Sequence, residues 1–357
     1  MSPLNLSGAE LICETLRVLG VDCVFGLPGT QNVALFEALR TSKLHTVVAT
    51  NELSAAMMAN GYYRASGKPA ALLTIPGPGF TWALTGLAEA KLDSAALLHI
   101  TCMPATSPGQ AFPLQALDQA AVAAPLVKRV FTLDRAEDAA SVLSGAYAEC
   151  LAGEPGPVLV QVAKRVWDET APGEIAATQA PDTTDSVDPM TVTAVASAIT
   201  GARRCVLLLG QGCVAAVDPA MQLAERLRAA VVTTTSGRGV IAEDHPLSLG
   251  FELGDNRTGT LNELIESSDL VLAIGCKFSH NGSRGFRLRV PENKLIHVDA
   301  SADVLGANYP ARVAIHADAR VFLAALLAQI DTIDGEAGGF SGEELARWRA
   351  RCRAERM

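Results

Sequence analysis

The chain has 357 residues, 49% of them hydrophobic and 19% charged, and its formal net charge is -9. Such a length suits about two domains; the apolar content excludes disorder for most of the chain, and the acidic balance excludes a nucleic-acid-binding surface. No apolar run approaches the roughly 20 residues of a membrane span, and the opening Met-Ser-Pro-Leu-Asn-Leu has neither the basic nor the apolar region of a signal peptide.

Apolar strand-like runs alternate with helical patterns from the start. "LSGAELICETLRVLG" predicts a helix capped by Ser7, with Glu10 three places on and Gly20 at its end. "DCVFGLPG" predicts a short strand and a turn, "QNVALFEALR" a helix, and "HTVVAT" a strand leading into a helix headed by Glu52. "PAALLTI" is the next strand; Gly77, Pro78 and Gly79 follow, then the helix "FTWALTGLAEAKL" and the strand "AALLHITCM". A loop and short helix are expected from Pro104 to Ala124, then the helix "AEDAASVLSGAYAECLAG" and the strand "GPVLVQVA". This rhythm predicts a parallel sheet covered on both faces.

"TAPGEIAATQAPDTTDSVDP" breaks the pattern and reads as a linker. The rhythm resumes with the helix "TVTAVASAIT", strand "RCVLLLG", helix "DPAMQLAERLRA" and strand "AVVTTT". The strands "DLVLAIG", "KLIHVDA" and "ARVAIHA" and the helix "ARVFLAALLAQI" come later. "DGEAGG" is a flexible break, and "SGEELARWRARCRAERM" a final helix capped by Ser341 with Glu344 in the reciprocal position. The expectation is α/β: two doubly wound parallel-sheet domains, at residues 1–170 and 189–331. A linker at 171–188 joins them, and a helical segment at 332–357 follows.

The most informative stretch is Ala49–Gly79. Glu52 heads a helix whose next residues, Leu53 to Ala59, are apolar or small, so the helix is expected to be buried. A buried carboxylate is costly unless something meets it, and the nearest cation in sequence, Arg64, lies about three helical turns away. The plain alternative is a carboxylate placed for the helix dipole. Against it, "FGLPGT" and "PGPG" both follow predicted strands, and in an open α/β sheet the ligand crevice lies at those strand ends. A carboxylate there can become a proton-transfer group.

Other candidates are weaker. The eight cysteines form no C-x-x-C and no zinc-type spacing, which predicts reduced, buried thiols in a cytoplasmic protein. His45 and His99 sit in predicted strands and read as core or surface histidines. "VLLLGQGCVAA" carries a G-x-G after a strand, alone a weak dinucleotide signal, and Asp299 is too distant for the usual ribose acid.

"VFGLPGTQNVALFEAL" and "NELSAAMMANGYYRASGKPAALLTIPGPGFTWALTGLAEAKLDSAALLHIT" resemble the N-terminal, pyrimidine-binding domain of thiamine diphosphate enzymes such as acetolactate synthase, pyruvate oxidase and benzoylformate decarboxylase. "GRGVIAEDHPLSLG", "DLVLAIGCKFS" and "LIHVDASADVLGANYP" resemble that family's central domain. The resemblance implies that Glu52 hydrogen-bonds the cofactor's aminopyrimidine ring and favours the tautomer that deprotonates the thiazolium carbon. A desolvated carboxylate, with its raised pKa, suits such proton sharing.

By the same resemblance Pro28, Gly29 and Thr30 lie near the reacting centre, although Thr30 is equally explained as a helix N-cap. Gly77, Pro78 and Gly79 match the turn that packs on the cofactor, and Gln115 matches an active-site-loop glutamine of the synthase branch. Pro76 and Trp82 depart from the Ser and Asn common in relatives. The shortage of histidines leans towards trapping the activated acyl unit with a second carbonyl. In the family the central domain holds FAD in some members, ADP or CoA in others, and nothing in many.

The family's magnesium-binding Gly-Asp-Gly signature does not occur in this chain. A hard cation needs such oxygen ligands to bridge the diphosphate. The expectation is therefore half an active site, with thiamine diphosphate shared with a second polypeptide that carries the diphosphate-binding domain and magnesium, in a dimer of heterodimers acting on a small 2-oxo acid. A truncated chain, a cofactor-free regulator and a free-standing FAD or nucleotide-binding module are the alternatives.

Overall fold

The computed structural model describes residues 5–104, 111–173, 186–251, 259–331 and 338–354. The chain divides into two compact units, Met1–Thr183 and Thr184–Met357.

In chain order the first unit contains β1 (Asn5–Ser7), α1 (Gly8–Val18), β2 (Cys23–Gly26), α2 (Val33–Thr41), β3 (His45–Val48), α3 (Glu52–Ser66) and β4 (Ala70–Thr74). It continues with α4 (Pro78–Leu92), β5 (Leu97–Cys102), α5 (Gln119–Ala123), β6 (Val130–Leu133), α6 (Ala139–Leu151), β7 (Pro157–Val162) and β8 (Thr170–Pro172). Six strands form one parallel sheet in the order β3-β2-β4-β5-β7-β6. Alternate side chains along each strand face opposite ways. Ala71, Leu73, Leu98 and Ile100 therefore pack with α1, α2 and α6, while Ala70, Leu72 and Leu97 pack with α3, α4 and α5. The Ser7–Glu10 capping box forms as the sequence predicts.

The helices α3 and α4 run parallel and close together. A methyl group added at Gly86 would lie 2.3 Å from Ala56 Cβ, and Arg64 pairs with Asp93 at 2.8 Å further along. Small residues at this seam, Ala55, Ala56 and Ala59 against Ala83 and Gly86, permit the approach. One expectation is corrected: α3 is not buried all round. Met57 and Met58 are 39% and 37% exposed, because only the face towards the sheet and α4 is covered.

The second unit contains α7 (Pro189–Thr200), β9 (Cys205–Leu209), α8 (Val217–Leu227), β10 (Ala230–Thr233), β11 (Ser248–Phe251), α9 (Gly259–Ser267) and β12 (Leu270–Ile274). β13 (Leu295–Asp299), β14 (Val313–His316), α10 (Ala319–Ile330) and α11 (Gly342–Ala354) complete it. Its parallel sheet runs β11-β10-β9-β12-β13-β14 around a single buried core. Arg349 on α11 donates to the carbonyls of His245, Pro246 and Ser248, so the final helix is tied to the β11 edge.

The sequence pattern misses β1, β6, β8, β11 and α9. β8 takes up the first residues of the expected linker, whose residues 174–185 lie outside the described residues, as do 105–110 of the expected loop and 334–337 of the expected break. Among the described residues no helix is long and apolar enough to cross a membrane.

Candidate active site

The order of the first sheet reverses twice, at β3 and at β6, and the first reversal makes a switch point beside β2. From β2 the chain moves outward to β3, then crosses back to β4 on the other side of β2. Ligand crevices of open α/β sheets lie at such switch points, outside the carboxyl ends of the strands. At this one, Leu27 to Asn32 leave β2 and Ile75 to Gly79 leave β4.

The first turn is held by Asn32, whose Oδ1 accepts from the Gly29 N–H at 2.7 Å and whose Nδ2 donates to Leu27 O at 3.2 Å. Asn32, not Thr30, is the N-cap residue of α2, so the N-cap explanation of Thr30 fails. Thr30 and Pro28 stand exposed in this turn. Gly29 packs on the second turn: an added methyl group would lie 2.6 Å from Ile75 Cγ2.

The second turn needs its glycines. Gly77 has φ of +64°, a left-handed conformation. A methyl group on it would lie 3.0 Å from Gln115 Cβ and 3.1 Å from Gln115 O, so the Gln115 segment rests on this turn. Pro78 opens α4 at a position where no N–H is missed. A methyl group on Gly79 would lie 2.6 Å from Ile75 Cγ1 and 2.8 Å from Glu52 Oε1. Glu52 itself is the first residue of α3, whose N-cap Asn51 accepts from Ser54 N at 2.8 Å. The crevice thus brings together Gly29, Ile75, Gly77, Gly79, Glu52 and Gln115.

Glu52 is half-buried rather than enclosed, and among the described residues no cation pairs with its carboxylate. Arg64 is occupied by Asp93. Two further groups in the same turns are unsatisfied: Gln31 Oε1 and Gln115 Oε1 are buried without a hydrogen-bond partner. Buried polar atoms are seldom left so, and such atoms in or beside the two turns suit a ligand. A carboxylate and two amide oxygens form an acceptor-rich set, which fits a ring bearing an amino group and protonated nitrogen. Gln31 was missed by sequence reasoning; its only signal is its place between the glycine turn and α2. Among the described residues no group of three metal-ligating side chains occurs.

The N-terminal TPP-binding-domain model of thiamine pyrophosphate enzymes matches residues 6–122, and the central-domain model of the same enzymes matches residues 192–326. The chain belongs to the thiamine diphosphate-dependent enzyme family. Among the relatives of this family member are a probable acetolactate synthase large subunit of Methanocaldococcus jannaschii, 32% identical over 92% of this chain and 57% of that protein, and the acetolactate synthase isozyme 1 large subunit of Escherichia coli, 30% identical over 92% and 58%. A probable 2-ketoarginine decarboxylase of Pseudomonas aeruginosa is 31% identical over 98% of this chain and 62% of its own. The chain spans less than two thirds of the length of these relatives.

In this family member the central unit has a switch point of its own, between β9 and β12. Here the G-x-G glycines meet protein. Gly210 N donates to Ile274 O at 2.9 Å, and a methyl group at Gly210 would lie 1.8 Å from Gly275 O; one at Gly212 would lie 2.8 Å from Gly275 Cα. The segment after β9 is a 3-10 turn, Gln211–Ala216, and α8 starts only at Val217. The G-x-G therefore opens onto a 3-10 turn and not directly onto the N-terminus of an α-helix.

Proposed function

We propose that this chain supplies the pyrimidine side of a thiamine diphosphate site and acts on a 2-oxo acid together with a polypeptide that carries the diphosphate- and magnesium-binding domain. The observation that carries the proposal is the unpaired Glu52 carboxylate beside Gly79 at the switch point of the first sheet. When bound, thiamine diphosphate supplies a carbon nucleophile for the substrate carbonyl. Glu52 shares a proton with a pyrimidine nitrogen as the general acid–base group. Gly77 and Gly79 leave room for the ring. The oxygens of Gln31 and Gln115 accept from ligand N–H groups.

A partner is supported by the apolar residues that ring the crevice. Trp82 in the second turn of α4 is 58% exposed, Val33 at the start of α2 59%, Val48 at the end of β3 60% and Phe112 before Gln115 97%. Large exposed apolar side chains at the carboxyl end of one sheet mark an interaction surface. The assembly proposed is a dimer of heterodimers.

The reaction proposed is decarboxylation followed by transfer of the acyl unit to an acceptor carbonyl. Two observations support it: the names of the synthase relatives, and His99 being locked in the core rather than facing the crevice. Product analysis decides between a condensed hydroxy-keto acid and a free aldehyde. The test of the site is Glu52→Gln in the chain assembled with its partner and thiamine diphosphate. Turnover falls about 10²–10⁴-fold if the carboxylate acts as proposed. Full activity in that variant rejects the role, and turnover independent of Glu52 favours the regulator.

A further inference from the structure

Beneath the crevice runs a string of four buried polar side chains that the proposed chemistry does not use. His99 and Thr101 lie on β5 and Thr74 ends β4; the register pairs Leu72 with His99 and Thr74 with Thr101, so all three share the face covered by α4. Gln119 opens α5. Exposure is 1% for Thr74, Thr101 and Gln119 and 0% for His99. Thr74 Oγ1 is 2.9 Å from His99 Nε2 and 3.2 Å from Thr101 Oγ1; Thr101 Oγ1 is 3.2 Å from Gln119 Oε1; and Gln119 Nε2 is 3.1 Å from Cys102 O.

The direction of every bond is forced from one end. A backbone carbonyl only accepts, so the Gln119 NH2 faces Cys102 O and its oxygen faces Thr101. The Thr101 hydroxyl has that oxygen at 3.2 Å and Thr74 O at 3.4 Å, both of which only accept, so its single hydrogen is donated to them. Thr101 then accepts from the Thr74 hydroxyl, and Thr74 accepts from an Nε2–H on His99. His99 is thereby fixed as the neutral Nε2–H tautomer, with Nδ1 buried and unpartnered. Burial, which pushes its pKa down to about 3, keeps it so.

Two members of the string, Thr74 and Gln119, adjoin the crevice. Thr74 precedes Ile75, on which Gly29 and Gly79 pack, and Gln119 stands four residues after Gln115, which rests on Gly77. Between them, Ala116 N–H donates to Pro113 O and Gln119 N–H to Leu117 O, so the intervening chain is short and turned. Gln115 itself has φ of +61°, a left-handed conformation that a non-glycine residue keeps only when its surroundings hold it.

We propose that Gln119 is a positioning residue which sets Gln115 over the Gly77 turn, and that Thr101, Thr74 and His99 form the directional hydrogen-bond string that fixes its amide. The proposal rests on Gln115 belonging to the Glu52 site. It is tested on the full chain by nitrogen-15 NMR of the His99 ring and of the Gly77 and Gln115 amides, in wild type, Thr101→Val, Thr101→Ser and Gln119→Met. The expected wild-type His99 carries its proton on Nε2. Thr101→Val shifts the His99, Gly77 and Gln115 signals together, and Thr101→Ser, which keeps the hydroxyl, returns them. Should Thr101→Val fail to fold, Gln119→Met removes the Thr101–Gln119 bond, together with the Gln119–Cys102 bond, at similar side-chain length.

In the assembled enzyme Gln119→Met lowers kcat about tenfold through misplacement. A proton on His99 Nδ1 overturns the proposal. So do Gly77 and Gln115 signals unmoved by Thr101→Val and Gln119→Met, or an unchanged kcat. Failure of the site reading looks different: Gln115 keeps its string signature but does not respond to thiamine diphosphate.

Discussion

The two units repeat one architecture, six parallel strands between helices with a switch point beside the first strand of the sheet, yet these switch points differ. Between β2 and β4, glycines stand against side chains: Gly29 and Gly79 against Ile75, Gly79 against the Glu52 carboxylate, Gly77 against Gln115. Among the described residues the Glu52 carboxylate has no cation partner, and Gln31 Oε1 in the first turn and Gln115 Oε1 beside the second are buried without donors. Between β9 and β12, glycines stand against backbone, and Gly210 and Gly212 close on Gly275. The same residue type in the same topological place opens one crevice and shuts the other. Fold alone assigns no function; what the glycines touch does.

The comparison can be broken by adding one methyl group on either side. In Gly79→Ala the new carbon meets the Glu52 carboxylate end at 2.8 Å and Ile75 Cγ1, at the root of a stiff β-branched side chain, at 2.6 Å, so folding survives at a cost of about 1–3 kcal/mol. Glu52 is displaced, and Glu52-dependent turnover of the assembled enzyme falls about 10²-fold. Turnover equal to wild type would mean that this contact does not position the carboxylate. In Gly210→Ala the carbon meets a carbonyl that cannot yield. Calorimetry of the full chain is expected to show the transition of the second unit lowered by about 1–3 kcal/mol, or roughly 2–4 °C per kcal/mol. Unchanged melting would mean that the second crevice has room after all.

His99 sharpens the contrast by pH. Its folded pKa is depressed from 6.5 to about 3 by burial, so between those values the unfolded chain binds a proton that the folded chain refuses. Its neutral form therefore favours folding fully above pH 6.5, and that contribution is lost as pH falls towards 3. Urea unfolding of wild type against His99→Gln should show wild type losing up to about 1.4 kcal/mol more per pH unit in this window. Parallel curves would place His99 in contact with water. The smallest effect is expected at Arg64→Ala. Its pair with Asp93 is partly exposed, at 45% and 30%, so stability should change by less than about 1 kcal/mol. Turnover should stay within about twofold; a larger loss would mean that Arg64 supports Glu52 after all.

Much of the fold is legible in the sequence because buried parallel strands read as unbroken apolar runs, as "PAALLTI", "RCVLLLG" and "DLVLAIG" do. The missed strands are of another kind. β1 and β8 are three residues each and exist only by pairing with one another across the unit, which no local pattern announces. β6 is an edge strand with Val130 and Phe131 only half-buried. Glu52, Gly77 and Gly79 stand out because a carboxylate and a glycine turn interrupt apolar surroundings. The links among Thr74, His99, Thr101 and Gln119 do not, since each looks like one more polar residue and their meeting depends on strand register. The burial expected for α3 fails at Met57 and Met58 for a related reason: composition says that a helix is apolar, not how much of the covering comes from the same chain.

The seam between α3 and α4 works as a lever. Its fulcrum is Ala56 against Gly86, one turn along from Glu52 and two turns along from Gly79. A methyl group at position 86 would lie 2.3 Å from Ala56 Cβ, so a side chain there would press on the helix that starts at Glu52. A survey confined to residues lining the crevice would overlook this pivot.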